Sequence, residues 1–490
     1  MGNRSPAVCD PAGASCHANR SLLTETSHHE PGLSRQLGLT TATALVVAEV
    51  IGVGIFLTTA GMVKSPGSPF WLLTVWLTTG VAAAGGAICF GALAARRPEA
   101  GEAYVYLKEA YGRRVAFLFG WLSMLVTDPG ITAAIAVGLA HYVSYLVPLS
   151  PWGSRAVAIG SIWLLAAVNI RGVDFGSGVI RGLAGLKLGV LGFLVLWGLG
   201  LGRGDWSNFV PLVEQRSGSD PLVGALIGGM IAAFFSLGGW WDVNKVAGEV
   251  RDPGRNLPGA LLLGVTIVTF VYILISLVFL YLVPPEQIDS RETFAALTGE
   301  ALFGRAGGVV LSLIVIVTVL GSLAALLMAM PRVYFAMARD GLFFPAAAAL
   351  HSRYHTPARA IAIQAILASL LAVLGTFDEI LAYFTVPTVV FVGLTVAAVF
   401  VLGRGARNTE EPVPVPWHPI PPLLFLVPTA VLLALMAMNK RKHAGIGLAV
   451  VLLGLPVYHL VFTRLAPREA PGDASSLAES SPASAAVETT

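Results

Sequence analysis

Long apolar stretches repeated along the whole chain decide what this sequence can fold into. A helix needs about 20 mostly apolar residues to cross the hydrocarbon core of a bilayer. Twelve such stretches stand between polar, Pro-rich or Arg-rich breaks: 39–61, 71–95, 115–147, 153–170, 179–202, 221–247, 259–283, 306–338, 357–375, 378–403, 420–438 and 444–463. Lipid offers the backbone no hydrogen bonds, so every N–H and C=O must find a partner inside the protein, which leaves only helices or a closed barrel. A barrel would show segments of about ten residues with alternating polarity, whereas these runs are continuously apolar. The expected fold is an all-α membrane protein of twelve transmembrane helices. Composition points the same way, because 12% charged residues, against roughly 25% in soluble domains, cannot cover a water-facing surface.

Several classes fall away on charge and cysteine content. A net charge of +3, with no basic stretch interleaved with aromatics, argues against a nucleic-acid partner. Cys9, Cys16 and Cys89 show no metal-ligand spacing, so no cofactor is expected. Lys and Arg concentrate in the loops that are cytosolic if the N-terminus is, led by Arg96, Arg97, Lys108, Arg113 and Arg114. The positive-inside rule then places both termini in the cytosol of a plasma membrane. Lys440, Arg441 and Lys442, between the last two spans, run against that count and leave the final hairpin the least secure part of the topology. Residues 1–38 are polar and contain no apolar signal region. Residues 466–490, rich in Ala, Ser, Pro and Glu, are too poor in apolar groups to pack. Both tails are expected to be disordered.

Two spans look unsuited to being plain helices. In the first, Glu49-Val50-Ile51-Gly52-Val53-Gly54-Ile55-Phe56 sets a carboxylate and two glycines near mid-depth, and in the sixth, Phe234-Phe235-Ser236-Leu237-Gly238-Gly239-Trp240-Trp241 places a glycine pair there. Glycine weakens helix continuity through its backbone entropy. Spans one and six are equivalent positions in two successive five-helix halves, and paired interruptions of this kind point to a transporter binding site at the midplane. The competing reading is that the glycines only let helices pack closely. A half-helix starting after Gly54 would offer N–H groups and a positive dipole end to a carboxylate. Carbonyls before each break would accept from an ammonium. An α-amino acid carries both groups on one carbon.

At these residues the chain resembles the amino acid, polyamine and organocation (APC) superfamily, and within it the L-type and Asc-type amino acid transporters, over about residues 39 to 465. Gly52-Val53-Gly54-Ile55-Phe56 resembles that family's first-helix Gly-Ser-Gly-Ile-Phe element, and Phe235-Ser236-Leu237-Gly238-Gly239-Trp240 its sixth-helix Phe-Ala-Tyr-Gly-Gly-Trp element. Glu249-Val250-Arg251-Asp252-Pro253 with Arg255-Asn256-Leu257-Pro258, and Arg339-Asp340-Gly341 with Thr356-Pro357, are similar to its loops after helices six and eight. The resemblance implies a LeuT-type fold in which helices one to five and six to ten form inverted repeats. The transport core would then be 39–403, with helices eleven and twelve within 404–465. It further implies a substrate carboxylate cradled by Gly52, Val53, Gly54 and Ile55, and an amine held by carbonyls near Ile51 and Phe235, with Ser236, Gly238 and Gly239 lining the second break. Phe235 matches the family's gating aromatic, with Trp240 expected beside it at the gate, where it either walls the pocket or belongs to an interfacial belt. Val53 stands where the family has Ser, which removes a hydroxyl from the site. Residues 146 to 154 hold no cysteine, so the disulfide-linked heavy chain of the eukaryotic branch is not expected, and the transporter is expected to be bacterial and self-sufficient.

Three ionisable residues lie within spans, where a charge costs roughly 2.5–3.5 kcal/mol on insertion scales. Lys187 resembles the lysine that takes the place of sodium in this branch, unless it snorkels to the inner surface. Glu49 and Asp128, the latter beside Pro129 and interrupting the third helix, are each a proton carrier, a counter-ion or a structural residue at a helix kink. Proton symport and exchange are both left open, with neutral L-amino acids as the leading substrate class and cationic amino acids or polyamines as the alternative. A membrane enzyme would need a catalytic cluster inside the bundle, but His141 and His459 are isolated in sequence, and a nutrient sensor would want a soluble output domain.

Overall fold

A computed structural model describes residues 37–52, 54–96, 102–172, 177–288, 293–339, 341–354, 356–403, 415–439 and 441–462. Nearly all of the two tails and Val53 of the site lie outside these residues. The helices in chain order are α1 (Leu39–Val50), α2 (Gly54–Lys64), α3 (Pro69–Arg96), α4 (Glu102–Tyr111), α5 (Arg113–Leu122), α6 (Asp128–Leu146), α7 (Pro151–Ile170), α8 (Ser177–Gly200), α9 (Leu222–Leu237), α10 (Pro253–Leu282), α11 (Phe294–Ala329), α12 (Pro331–Arg339), α13 (Ala358–Leu374), α14 (Phe377–Gly403), α15 (Ile420–Asn439), α16 (Arg441–Leu452) and α17 (Gly454–Val457). Among the described residues nine helical runs are long and apolar enough to cross a membrane, or ten when the bent pair α1 and α2 counts as one span. The expected spans 179–202 and 357–375 fall on the shorter apolar helices Gly185–Gly200 and Ala358–Leu374.

Two of the expected boundaries move, each for a local reason. The third span is continuous from Arg113 to Leu146, so Asp128 and Pro129 open α6 rather than interrupt the helix. A π turn, Ser123–Thr127, precedes them, and the Asp128 N–H donates to the Ser123 carbonyl five residues back. Proline lacks an N–H and clashes with the carbonyl four residues earlier; here that carbonyl belongs to Leu125, which instead accepts from the Tyr383 hydroxyl at 3.3 Å. The eighth span, expected over 306–338, is α11, which starts upstream at Phe294 and is broken at Gly304, with α12 a separate helix. Gly304 has φ +68°, a conformation costly to any residue with a Cβ. The arm before it folds back until Gly299 and Gly307 touch through their backbones.

The helices pack in two groups. Helices α1, α2, α3, α9 and α10 lie against one another, as do α6, α7, α11 and α13, while α8 bridges α10 to α11 and α14 bridges α6 to α9 and α3. Close crossings rest on small residues: a Cβ on Gly80 would collide with Thr269, and one on Gly264 with Val46. Dispersion and hydrogen bonding, rather than expulsion of water, drive association in lipid, so such close approach is what binds helix to helix.

Candidate substrate site at two broken helices

The first break is a turn of the chain between α1 and α2, whose axes diverge by 54°. The Ile51 N–H still reaches back to the Val47 carbonyl at 2.9 Å, but the Gly52 N–H turns to Val50 at 2.6 Å, ending the helical ladder. The second break follows Leu237. Gly238 is extended, Gly239 is left-handed at φ +91°, and the chain resumes as a 3₁₀ segment, Trp240–Glu249. Glycine takes up φ > 0 without steric cost, so the Gly238-Gly239 pair is what makes this turn possible.

The two breaks meet. Helix α2 lies on α9, and the 3₁₀ segment lies on α1. Gly54 fits against the backbone of Ser236 so closely that an added Cβ would strike the Ser236 Cα. Beside it the Thr58 and Ser236 hydroxyls lie 2.8 Å apart, one donating to the other, while the one that accepts donates its own proton to its helix, at Gly54 O for Thr58 or Ala232 O for Ser236. Tyr272, fully buried on α10, reaches both breaks at once, with its hydroxyl 2.9 Å from Val50 O and 3.2 Å from Ser236 O. One proton shared between two carbonyls makes Tyr272 a clasp across the pair. Trp76 packs edge-on to its ring at 5.2 Å.

This arrangement leaves polar backbone groups where a ligand could use them. The first N–H groups of a helix have no partner in that helix, and in α2 these belong to Gly54, Ile55 and Phe56. Among the described residues neither the Ile51 nor the Phe235 carbonyl accepts a hydrogen bond. The Phe235 ring is half-buried and meets Phe377 and Phe384 of α14 edge-on, at 5.9 and 6.1 Å. Trp240, 2% exposed, has other ring neighbours, Phe90 and Trp241 at 5.1 Å each. The two expected gating aromatics are therefore not brought together.

The three ionisable residues separate into two networks. Lys187, 8% exposed, donates to the Ser322 hydroxyl of α11 at 2.8 Å, and the Glu49 carboxylate lies within electrostatic reach of it. Lys187 thus ties α8 to α11 and feels the charge of Glu49 at the end of α1. Asp128 is also buried, but it accepts from the Tyr334 hydroxyl at 2.9 Å. Gln364 Nε2 donates to Thr132 Oγ1 at 3.0 Å, and that hydroxyl donates to the Asp128 carbonyl at 2.7 Å. Asp128 is thereby tied to α12 and α13.

Sequence reasoning missed Tyr272, Thr58 and Ser322. A hydroxyl in an apolar run is the mark each leaves, and many such hydroxyls bond their own helix four residues back, as Thr269 does to Val265 O.

Comparison with known proteins places the chain among transporters. Over 435 residues the chain is 29% identical to the large neutral amino acids transporter small subunit 2 of Mus musculus, covering 87% of this chain and 81% of that one. It is equally similar to the serine/threonine exchanger SteT of Bacillus subtilis (strain 168), over 87% of this chain and 97% of the exchanger. The Asc-type amino acid transporter 1 of Mus musculus is 27% identical over 444 residues, 89% and 83% of the two chains. The sequence model of the family described as Amino acid permease matches residues 37–456, so the chain belongs to that family of multi-pass membrane transporters within the APC superfamily and is not an enzyme.

Proposed function

We propose that this chain is a secondary active transporter that carries neutral L-amino acids by alternating access, as an exchanger or a proton symporter. The observation that carries this reading is the meeting of the two breaks. The α2 N-terminus would take the substrate carboxylate, with Gly52, Val53 and Gly54 as its cradle, and the open Ile51 and Phe235 carbonyls would take the ammonium. Phe235, against Phe377 and Phe384, would close the site on the side where α9 begins. A twelve-span LeuT-type arrangement is supported by the packing. Spans one, two, six and seven form one group and spans three, four, eight and nine the other, so each group contains members five apart, as two inverted halves require. The bilayer would be a bacterial inner membrane with both termini in the cytosol, and no disulfide-linked heavy chain would be needed.

Neutral side chains are favoured over cationic ones by where the carboxylates lie. Glu49 is engaged with Lys187, and Asp128 with Tyr334, so neither stands ready as counter-ion to a cationic substrate. The relatives are transporters of large neutral amino acids and of serine and threonine by name, which favours the same reading.

Purified protein in liposomes tests this. Serine, alanine or leucine uptake is expected to exceed that of arginine and putrescine. Dependence on an internal amino acid would mark exchange, and acceleration by external acid without one would mark proton symport. Preferential uptake of arginine or putrescine, or no uptake of any amino acid, would overturn the proposal. In the same assay Tyr272→Phe is expected to slow uptake by about twofold to tenfold, the worth of one net hydrogen bond. Unchanged uptake would show that the clasp does not hold the site.

A further inference from the structure

The segment between α8 and α9, residues 201–221, takes no part in the site at the breaks, yet it is hydrogen bonded along its length. It lies on the turn 65–68 that joins α2 to α3. Pro66 and Pro69 have no N–H, so this turn offers carbonyls and the segment supplies donors. Arg216 N–H reaches Gly67 O at 3.2 Å, and Asp220 N–H reaches Ser65 O at 3.0 Å. Gln215 Nε2 donates to Pro66 O at 3.1 Å, and the Ser65 hydroxyl donates to the Asp220 carboxylate at 2.6 Å. Gly67 is left-handed at φ +56°, and a Cβ there would strike the Ser219 hydroxyl. Earlier in the segment, Asp205 N–H and Asn208 Nδ2 donate to Tyr281 O near the end of α10, at 2.8 and 3.2 Å.

Arg216 joins these pieces. Its side chain is 10% exposed and pairs through Nε with Glu286, just past α10, at 3.0 Å. Nη1 donates to Gly67 O at 3.1 Å, and Nη2 donates to Val210 O at 3.1 Å and to Asn208 O. A guanidinium holds its donors in a rigid plane, so one side chain fixes four acceptors relative to one another. The mechanical consequence reaches the breaks. Helices α2 and α9, of 11 and 16 residues, are rods of roughly 16 and 24 Å at 1.5 Å per residue. They touch at one end through Gly54 and Ser236, and at the other this segment ties the end of α2 to the start of α9. Two rods joined at both ends form a closed frame, which resists a shear that one contact would permit.

We propose that Arg216 is a positioning residue for transport: it closes this frame, so that α2 and α9 travel as one body and the segment is a strap that stays seated throughout the cycle. The role in the cycle rests on the proposed function; the strap itself does not.

The test uses the full chain in liposomes, with Cys9, Cys16 and Cys89 replaced by alanine and with Ser65→Cys and Asp220→Cys added. The backbone hydrogen bond between residues 65 and 220 brings them near enough for a disulfide. Oxidation is expected to leave uptake intact. Arg216→Gln is expected to cut uptake about tenfold, the worth of one charge-assisted hydrogen bond, and the disulfide in the same chain is expected to restore it. Loss of uptake on oxidation would mean that the segment lifts as a lid, and a disulfide that restores nothing would mean that Arg216 acts elsewhere; either result overturns the proposal. The double-cysteine protein keeps Arg216, so it decides even where Arg216→Gln does not reach the membrane. If the unmodified protein moves no amino acid, the proposed function falls and hydrogen exchange judges the strap. Amides of residues 204–220 are then expected to exchange at least about tenfold faster in Arg216→Gln than in the parent, and equal rates would overturn it.

Discussion

Gly54→Leu is expected to reach the membrane in normal amount and to take up no amino acid. Any Cβ at this position runs into the Ser236 Cα, so the obstacle is main chain and no rotamer change relieves it. Helices α2 and α9 must separate, which pulls apart the Thr58–Ser236 hydrogen bond and shifts the α2 N-terminus away from the facing carbonyls. Gly54→Ala should already lose a large part of the activity. Gly61 supplies the control, because it lies on the same helix with nothing within 4 Å of an added Cβ, and Gly61→Leu should transport normally. Surface expression and uptake measured together decide the matter. Normal uptake by Gly54→Leu would mean that the contact of the two breaks is not the substrate site.

Lys187→Met is expected to cut uptake by about tenfold or more at unchanged expression. The hydrogen bond to Ser322 is charge-assisted, a class worth about 1.5–3 kcal/mol, and its loss also removes the positive charge facing Glu49. Ser322 keeps its own bond to Thr318 O at 3.2 Å, so the damage should fall on the link between α8 and α11 rather than on α11 itself. On the proposed reading the ammonium would fill the role of a bound cation, so uptake by the unmodified protein should be the same in sodium and in choline buffer. A sodium requirement, or a methionine variant as fast as the parent, would contradict this account of Lys187.

The bundle was readable from the sequence because apolar length is set by the bilayer and by nothing more distant. The positions of both breaks were readable too, since glycine at Gly52 and Gly54, and at Gly238 and Gly239, is a local signal. What joined them was not. Tyr272 lies 222 residues from Val50, and only the folded packing of α10 brings its hydroxyl to both breaks. Asp128 shows another limit. Its neighbour Pro129 suggested an interrupted helix, but a π turn takes up the proline while keeping the span continuous, and the carboxylate turns to Tyr334. Trp240 and Phe235 are near in sequence, yet with the left-handed Gly239 between them the two rings meet different aromatic neighbours.

The Tyr142 hydroxyl has consequences for which parts can travel. It donates to Phe56 O of α2 at 2.6 Å and accepts from the Ala295 N–H of the folded arm of α11 at 3.4 Å, so the second leg of the first span is bolted to two neighbours. The first leg has fastenings of its own: just ahead of it, Leu37 forms a bridge to Val250 and Arg251 N–H meets Leu37 O at 2.8 Å, and at its end Val50 O holds the Tyr272 hydroxyl. With each leg secured to different helices, any rocking of the first span has to be absorbed at the 54° bend that separates them.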